Sequence, residues 1–408
     1  MRTAIIGGGA SGLSAAITLK RNMPDMEVVV LEKLAEPGKK LLATGNGRCN
    51  LSNTDVDVSC YHGDSSTLHH VLNTFGSEEC LDFFHSLGLL TAEEDGRIYP
   101  LTFHASTVRN VLLEEAARLG ISFETEFRVT DLSPGFTVTD RNTGRSVEAD
   151  FVLLAPGGKA AAAHGTDGDG YPLLKQLGIR YAPISPALVS LVLDDRVRPL
   201  KGLRIQGSAS LLDEHGTLIA KETGELQFTE KGLSGIPALQ LSGDAAVLAK
   251  NGHPTVAVDF CPNLPDLAVL DYLRDRAFAD PEGPASHLLT GMVREPAAAF
   301  LLEAVGKRAD SPIAGFGLQD LANLADILKN CPFPLTGTKS FKDAQVTRGG
   351  VPADELIDGS LESRRHPGLW FAGELLNVDG ACGGYNLHFA WGSGIRAAKE
   401  ILSRASHQ

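Results

Sequence analysis

Short apolar segments that run into glycine begin and end this chain. A buried strand is predicted at Thr3–Ile6, and it leads directly into the pattern G-x-G-x-x-G. Apolar residues then recur at helical spacing from Leu13 to Leu19, and a second apolar strand ends at Glu32. Strand, helix and strand within about 30 residues predict a βαβ unit and therefore a parallel sheet.

Two further strands repeat this pattern later in the chain. The apolar run Phe151–Ala155 ends in paired glycines, and "LWFAGE" ends at Gly373–Glu374 before a glycine turn that opens a long helix. Between Glu32 and Phe151, the pattern predicts a helix over Ala105–Leu119 and strands near Ser122–Val129 and Phe136–Thr139. A β-meander inserted before a glycine-ended strand is typical of the FAD domain of two-dinucleotide-fold flavoproteins.

The middle of the chain alternates in the manner of strands and then becomes helical. The alternating stretch "IQGSASLLDEHGTLIAKETGELQFT" predicts hairpin turns at Glu214–Gly216 and Glu222–Gly224. Helical patterns follow over Leu264–Gly306, broken by "DPEGP" at Asp280–Pro284. The segment Cys331–Gly337, rich in proline and glycine, is expected to be the return to the first domain.

Composition narrows the class of protein. The chain has 408 residues, 43% of them hydrophobic, and a formal net charge of −13. This charge argues against a nucleic-acid partner, which needs clustered Lys and Arg, and against binding to anionic membranes. No apolar run approaches the ~20 residues that span a bilayer. The six cysteines form no Cys-x-x-Cys pair and no histidines show ligand spacing, so the sequence predicts no metal site and a reducing, cytoplasmic location.

The first glycine pattern has the context of a dinucleotide site. Gly7 permits a tight turn, Gly9 lets the backbone approach a pyrophosphate, and Gly12 lets helix and strand pack closely. The N–H groups at the helix start then face the phosphates. Glu32 lies about 20 residues further on, where a carboxylate accepts from the ribose 2′-hydroxyl, which argues against NADP at this site. The alternative is a glycine turn without a ligand.

The other glycine-rich segments favour a flavin over NAD. The run Lys39–Asn50, "KKLLATGNGRCN", combines flexible residues with side-chain and backbone donors. Near the C-terminus, free N–H groups of Gly384, Tyr385 and Asn386 at a helix N-terminus suit the N1–C2=O edge of a flavin, which gains negative charge on reduction. The sequence has no second glycine pattern for an NAD(P)H domain. The reductant is therefore either transiently bound NAD(P)H or the substrate itself.

These motifs together resemble the BaiN-like flavoproteins, a family that includes the aminoacetone oxidases. The resemblance covers essentially the whole chain and includes "GGGASGL", "GKKLLATGNGRCN", "GRIYP", "APGGKA", "GDGY", "GELQFTEKGLSGIPALQLS" and "LWFAGELLNVDGACGGYNLHFAWGSG". It implies an α/β fold with a Rossmann-like FAD-binding domain built from both chain ends, a mainly β insert and a small helical piece. The expected domains are 1–185 and 339–408 for FAD and 186–338 for the insert, β-rich over 186–262 and helical over 263–330.

The motifs assign FAD contacts residue by residue. The residues predicted to bind FAD are Gly7, Gly9, Ala10, Ser11, Gly12, Glu32, Lys33, Lys40, Thr44, Gly45, Asn46, Gly47, Arg48, Cys49, Asn50, Val129, Ala155, Gly157, Gly158, Gly373, Glu374, Asp379, Gly383, Gly384, Tyr385 and Asn386.

Two residues are candidates for catalysis, and each has a structural alternative. Arg48 either stabilises negative charge on the substrate or reduced flavin, or forms a structural ion pair. His388 is either a general base near the flavin or a packed residue of the terminal helix, and packing is the commoner role. A redox pair of Cys49 and Cys382 is disfavoured because the two are remote in sequence, so inert thiols are expected.

The sequence thus predicts an FAD-dependent oxidoreductase that transfers hydride through flavin N5 and acts on a small molecule. The first hypothesis is an NAD(P)H-linked reductase of a small organic or steroid-like substrate. The second is an amine oxidase of the aminoacetone type, in which the substrate reduces the flavin and oxygen reoxidises it to give hydrogen peroxide. A third, from another class, is a flavin-binding RNA-modification or regulatory protein, which the charge of −13 disfavours. The oligomeric state is not encoded in a readable pattern.

Overall fold

The computed structural model describes residues 1–133 and 135–407. The chain divides into two compact units, one of Met1–Ser185 with Gln345–Gln408 and one of Pro186–Ala344. The strands are β1 (Arg2–Ile6), β2 (Glu27–Leu31), β3 (Ser52–Asn53), β4 (Tyr61–Gly63), β5 (Thr91–Glu94), β6 (Arg97–Pro100), β7 (Ser122–Glu124), β8 (Asp131–Ser133), β9 (Thr137–Asp140), β10 (Arg145–Glu148), β11 (Phe151–Leu154), β12 (Ser185–Ala187), β13 (Leu191–Leu193), β14 (Arg204–Leu212), β15 (Leu218–Thr229), β16 (Gly232–Ser234), β17 (Thr255–Asp259), β18 (Cys331–Thr338), β19 (Val346–Arg348), β20 (Leu369–Phe371) and β21 (Val378–Gly380). The helices are α1 (Ala10–Asn22), α2 (Ser65–Leu72), α3 (Ser77–Ser86), α4 (Ala105–Arg118), α5 (Gly170–Gln176), α6 (Ile236–Asn251), α7 (Asp266–Ala279), α8 (Glu295–Ala304), α9 (Leu318–Lys329) and α10 (Tyr385–Ala405).

The first unit is built on a five-stranded parallel sheet in the order β20-β11-β1-β2-β7. The central register aligns Ile5 with Leu153 on one side and with Val30 on the other, and all three side chains are buried. Strands this apolar are expected where helices cover both faces of a parallel sheet. All five strands point the same way, so the segments that follow them lie along one edge, the usual ligand edge of such sheets.

Helices α1 and α10 pack against each other closely because glycine lies at their contact. A Cβ atom on Gly394 would lie 2.2 Å from the carbonyl oxygen of Ser11. The hydroxyl of Ser14 donates to the carbonyl oxygen of Trp391 at 3.3 Å across the same contact. The C-terminal helix is thereby fixed beside the first glycine turn, although about 370 residues separate them in sequence.

Three small antiparallel sheets also lie within the first unit, among the residues that the structure describes. Strands β8, β9 and β10 form the predicted meander before β11, and Val138 of β9 is paired with Val147 of β10. Strands β3, β6 and β5 form a second sheet, and β21 pairs with β4. The last pair brings Asp379 opposite His62 and so joins the C-terminal segment to the region after the Lys39–Asn50 loop.

The second unit is a closed six-stranded barrel in the order β13-β16-β15-β14-β17-β18, with helices α6 to α9 around its apolar residues. Its core is formed by fully buried residues such as Phe228, Leu233, Val258 and Phe333. The α/β class, with a Rossmann-type sheet and a mainly β insert, is confirmed.

Two local predictions in the insert are wrong. The hairpin between β14 and β15 turns at Asp213–Thr217, but Glu222–Gly224 lies inside β15, where Gly224 is paired with Gly207. A glycine inside a strand marks a close approach, and here a Cβ atom on Gly224 would lie 3.2 Å from Pro237 of α6.

The second wrong prediction is the expected return segment Cys331–Gly337, which instead belongs to β18. Its prolines alternate with buried residues: Cys331, Phe333 and Leu335 are buried, whereas Pro332 and Pro334 are exposed. Proline is tolerated in a strand where its missing N–H leaves no ladder bond unmade. In the part of the chain that the structure describes, no helix has both the length and the hydropathy to cross a membrane.

Candidate cofactor and active site

The first glycine turn joins β1 to α1 and separates the roles of its three glycines. Gly7 has φ of +108°, and a Cβ atom there would lie 2.3 Å from the Ala155 carbonyl oxygen. A Cβ atom on Gly12 would lie 2.0 Å from the Gly7 carbonyl oxygen. A Cβ atom on Gly9, in contrast, would meet no described atom within 4 Å apart from those of its chain neighbours. Packing therefore requires Gly7 and Gly12, while Gly9 leaves open space before the helix N-terminus, next to Ala10 and Ser11.

Glu32 lies at the end of β2 beside this turn. Its Oε2 accepts from the backbone N–H of Gly8 and its Oε1 from that of Leu34, both at 2.9 Å. A carboxylate has about four acceptor positions, so these two bonds orient the group and leave lone pairs for a ribose hydroxyl. The contact to Gly8 also ties the acid to the glycine turn, as expected for a dinucleotide site.

Lys33 belongs to a four-charge network. Its Nζ contacts Asp167 and lies 2.6 Å from Asp169, and the guanidinium of Arg128 contacts the same two acids at 2.7 and 2.5 Å. These partners hold the loop after β11 next to the end of β2. If Lys33 contacts the cofactor, as predicted, it does so as a member of this ion-pair network. Val129, another predicted contact, is buried and follows Arg128 in the chain.

The loop of Lys39–Gly47 has an unusual backbone. Two 3₁₀ turns meet at a kink, where Thr44 is extended and Gly45 and Asn46 both have φ of +55°. Gly47 and Cys49 also have positive φ, at +84° and +56°. Residues other than glycine with positive φ, here Asn46 and Cys49, have a strained backbone, and such strain is concentrated at functional sites.

The Arg48 side chain is held by both charge and aromatic rings. Its guanidinium is paired with Glu94 and lies 4.2 Å from the ring centroid of Tyr99 and 4.7 Å from that of Phe103. The side chain remains 37% exposed. This geometry provides the ion pair of the structural alternative and also keeps an oriented cation at the loop surface, so both sequence-based roles remain compatible with it.

Cys49 and Asn50 end the loop in different environments. The Cys49 side chain is fully buried, and burial raises the pKa of its thiol to about 12, which favours an inert thiol. The Oδ1 atom of Asn50 is buried, with no hydrogen-bond partner among the described residues. A Cβ atom on Gly384 would lie 2.7 Å from this Oδ1, so the orphan acceptor faces the second glycine turn.

The second glycine turn precedes α10 and packs on β3. Gly383 and Gly384 have φ of +141° and +99°, and a Cβ atom on Gly384 would lie 2.4 Å from the Ser52 carbonyl oxygen. The Asn386 side chain accepts from the N–H of Gly380 at 2.8 Å and donates to the carbonyl of the same residue at 2.7 Å. Asn386 thus closes the turn, and the start of α10 is left to present its N–H groups.

His388 lies in the first turn of α10 and is fully buried. Its Nδ1 is 2.8 Å from the Ser52 hydroxyl, and its Nε2 donates to the Phe75 carbonyl oxygen at 3.0 Å. Burial lowers the pKa of this imidazole to about 4, so the ring is neutral near pH 7. With both ring nitrogens engaged, these contacts favour the packed-residue alternative over a general base.

Two acids of the C-terminal segment have basic partners. Glu374, directly after β20, lies 2.7 Å from the Nζ of Lys40, and Asp379 is 3.2 Å from the Nε of Arg348. Gly373, which precedes Glu374, has φ of +68°, and a Cβ atom there would lie 2.6 Å from the Ser11 hydroxyl. The structure therefore brings the segment after β20 against the glycine turn after β1.

The remaining predicted residues lie after β11, on the same sheet edge. Ala155 is buried, and Gly157 has φ of +78°. A Cβ atom on Gly158 would lie 2.5 Å from the Thr347 hydroxyl. Sequence reasoning missed Thr347 and Arg348; the only local signal is that this polar pair precedes two glycines after an apolar residue.

The residues present fit a bound FAD. Gly9 opens onto free space at a helix N-terminus, which suits a pyrophosphate. The orphaned Asn50 acceptor beside the second glycine turn suits a polar ring with its own donor, such as the flavin pyrimidine. Among the described residues, no group of three or more His, Cys, Asp or Glu side chains is arranged to hold a metal ion.

Comparison with known proteins agrees with this site. Residues 1–400 match the family described as HI0933-like protein Rossmann domain. The chain is 39% identical, over 99% of each chain, to the 3-dehydro-bile acid delta(4,6)-reductase of Clostridium scindens. It is 27% identical, over 98% of each chain, to the ribosomal RNA dihydrouridine synthase of Escherichia coli.

Among solved structures, a quinol-fumarate reductase chain is similar at a TM-score of 0.48 and 15% identity, over 100% of this chain and 72% of that one. A likeness of this size says nothing about function. The family match and the full-length relative do, and they agree with the glycine turns and the orphaned acceptor. The chain belongs to the HI0933-like Rossmann flavoprotein family and is an FAD-dependent oxidoreductase.

Proposed function

We propose that this enzyme reduces a carbon–carbon double bond conjugated to a carbonyl group in a small, largely apolar, steroid-like substrate. The observation that carries the proposal is the 39% identity, over nearly the full length, to a protein named as a 3-dehydro-bile acid delta(4,6)-reductase. That name describes double bonds conjugated to a ring ketone. Hydride added to the distal carbon and a proton added next to the carbonyl saturate such a bond.

The cofactor, when bound, supplies a two-electron carrier that passes hydride to the substrate. We propose that NAD(P)H provides the electron pair and leaves as NAD(P)⁺. The sequence has no second glycine pattern, so the nicotinamide cofactor would bind only transiently. We propose that the predicted FAD contacts, among them Glu32, Asn50 and Glu374, hold the cofactor.

Arg48 is the residue that we propose to assist the reaction. Hydride addition to a conjugated ketone places negative charge on the carbonyl oxygen, and a fixed cation nearby lowers the energy of that state. The guanidinium is oriented by Glu94 and by the Tyr99 and Phe103 rings, yet 37% of the side chain is exposed. His388 is not proposed as an acid or base, because its two nitrogens bond to Ser52 and Phe75.

Anaerobic reduction of the flavin tests this proposal. The FAD-loaded protein is mixed separately with NADH, NADPH and aminoacetone, and flavin absorbance is followed. We expect bleaching by a nicotinamide cofactor, reoxidation on adding a 3-oxo-4,6-diene steroid, and a product that has gained two hydrogens per bond reduced. Bleaching by the amine alone, with peroxide formed on admitting oxygen, would establish the amine oxidase instead.

A second candidate is reduction of uridine in RNA, which the 27% identity to a ribosomal RNA dihydrouridine synthase supports. The chemistry is related, because dihydrouridine arises by saturating a pyrimidine double bond conjugated to a carbonyl. The net charge of −13 opposes binding of an anionic polymer. Incubation of the reduced enzyme with ribosomal RNA at low salt, followed by nucleoside mass analysis, separates the two: dihydrouridine in place of a reduced steroid would favour the second candidate.

A further inference from the structure

We propose that Thr347 is a positioning residue for the cofactor, because it joins the loop after β11 to the acid after β20. No sequence motif described above includes this residue. Thr347 lies on β19 and is fully buried. The inference concerns FAD binding and stands apart from the identity of the substrate.

The side chain of Thr347 holds the loop after β11. Its Oγ1 accepts from the backbone N–H of Lys159 at 2.8 Å and from that of Ala160 at 3.0 Å. Both N–H groups lie directly after the paired glycines that end this strand. The Ala160 N–H is buried and needs an acceptor, and the Lys159 N–H is part-buried. One hydroxyl accepts from both and so fixes the course of the loop.

The backbone of Thr347 holds Glu374. Its N–H donates to Oε1 of Glu374 at 2.7 Å, and Oε2 of the same carboxylate lies 2.7 Å from the Nζ of Lys40. The approach is close, since a Cβ atom on Gly158 would lie 2.5 Å from Thr347 Oγ1 and 2.6 Å from Glu374 Oε1. Thr347 therefore connects three segments that are predicted to face the cofactor, and it reaches the Lys39–Gly47 loop through the carboxylate.

The next residue, Arg348, holds the other acid of the C-terminal segment. Arg348 Nε lies 3.2 Å from both carboxylate oxygens of Asp379, whose side chain is 5% exposed. The two acids of the C-terminal segment that were predicted to contact FAD are thus each held by one of two consecutive residues of β19. A binding group held by a supporting hydrogen bond keeps its orientation, which preserves affinity.

Substitutions at Thr347 separate positioning from folding. Thr347→Val keeps the shape but removes the hydroxyl that accepts both N–H groups, whereas Thr347→Ser keeps the hydroxyl. Thr3→Val is the matched control, since Thr3 is an equally buried threonine of β1 whose hydroxyl donates to the sulfur of Met26. For each variant we would measure the FAD dissociation constant by titrating the apoprotein, the flavin midpoint potential, and the thermal midpoint of the apoprotein.

We expect Thr347→Val to raise the FAD dissociation constant at least about tenfold, or ~1.4 kcal/mol, and to shift the midpoint potential. Thr347→Ser should stay within about threefold of the wild type and Thr3→Val within about twofold. Unchanged affinity and potential in Thr347→Val, with only a lower thermal midpoint, would overturn the proposal and leave Thr347 a folding residue.

A second variant covers the case in which Thr347→Val does not fold. Lys40→Met removes the cation from the partly exposed side of Glu374 and leaves Thr347 intact. We expect a several-fold weaker FAD complex with an unchanged apoprotein midpoint, because the carboxylate then loses one of the two groups that orient it. An FAD affinity equal to that of the wild type would contradict the proposed chain from Thr347 through Glu374 to Lys40.

Discussion

Replacing Glu400 should destabilise the first unit more than any surface substitution. This acid of α10 has a side chain that is 13% exposed. Its Oε1 lies 2.7 Å from His70 Nε2 and 2.9 Å from Arg396 Nε. Its Oε2 accepts from the Ser360 hydroxyl at 2.5 Å, the Leu361 N–H at 2.8 Å and the Trp370 indole N–H at 3.2 Å. One carboxylate therefore joins α10 to α2 and to the segment before β20.

The magnitude follows from the donors that Glu400→Ala would leave unpaired. The Leu361 N–H and the Trp370 indole N–H are neutral donors of buried residues, and each costs about 1–3 kcal/mol without an acceptor. The charged partner Arg396 is 26% exposed and can turn to water, so no further cost is counted for it. We therefore expect a loss of about 2–6 kcal/mol in the free energy of unfolding. At about 2 °C per kcal/mol for a unit of this size, the thermal midpoint should fall by roughly 4–12 °C.

Urea unfolding of the apoprotein measures this loss against two controls. Glu400→Gln keeps the volume and one carbonyl acceptor, so it should lose about 1–2 kcal/mol. Glu114→Ala removes an exposed acid from α4 and should stay within about 0.5 kcal/mol of the wild type. A loss below about 1 kcal/mol for Glu400→Ala would refute the reasoning, because the neutral donors would then have found other acceptors.

The same acid makes a prediction about pH. Burial opposes ionisation of Glu400, but the bonds from His70, Ser360, Leu361 and Arg396 outweigh it and hold the pKa of the carboxyl below its ordinary value. A lowered folded pKa adds stability above the unfolded value of about 4.3, and this stability is lost as pH falls through the folded pKa. The difference between wild type and Glu400→Gln should accordingly shrink below about pH 4.3.

Three further predictions concern the candidate site. Gly9→Ala should weaken FAD binding at least about tenfold in titrations yet leave the apoprotein midpoint unchanged, whereas Gly12→Ala, with its Cβ 2.0 Å from a carbonyl oxygen, should destabilise the apoprotein by more than about 1 kcal/mol. In native protein, iodoacetamide should label partly exposed Cys382 at least about tenfold faster than buried Cys49, as read by peptide mass. In the wild type, the buried His388 ring stays neutral when folded but protonates when unfolded, so the free energy of unfolding should fall from about pH 6.5 to about pH 4. This fall should be smaller in His388→Asn, as measured by urea unfolding at each pH.

The parallel sheet and its ligand edge were predictable because their signals are local. Each of the strands at Thr3–Ile6, Phe151–Ala155 and Leu369–Phe371 is a short apolar run that ends in glycine. Such runs are typical of strands buried on both faces, and glycine after the strand indicates a close approach. The roles of Gly7 and Gly12 follow from the same pattern, and the structure gives each a backbone neighbour that excludes a Cβ atom.

The side-chain partners were not predictable, because they join residues far apart in sequence. Glu374 pairs with Lys40 across 334 positions, and Lys159 bonds to Thr347 across 188. A single sequence without periodicity at such separations contains no signal for these contacts. The misassigned turn at Glu222–Gly224 has the same cause, since the glycine is required by a strand neighbour and a helix that only the folded barrel brings near.

The charges at the ligand edge indicate how a pyrophosphate is met there. Three basic side chains beside the glycine loops contact acids: Lys33 and Arg128 contact Asp167 and Asp169, and Lys40 contacts Glu374. Arg48 and Arg348 contact Glu94 and Asp379. These five cations of the edge are paired, whereas the N–H groups before α1 face open space at Gly9. We infer that backbone donors and the helix dipole, rather than lysine side chains, provide most of the attraction for the diphosphate. Because this attraction is local, a chain with a net charge of −13 can still bind an anionic cofactor.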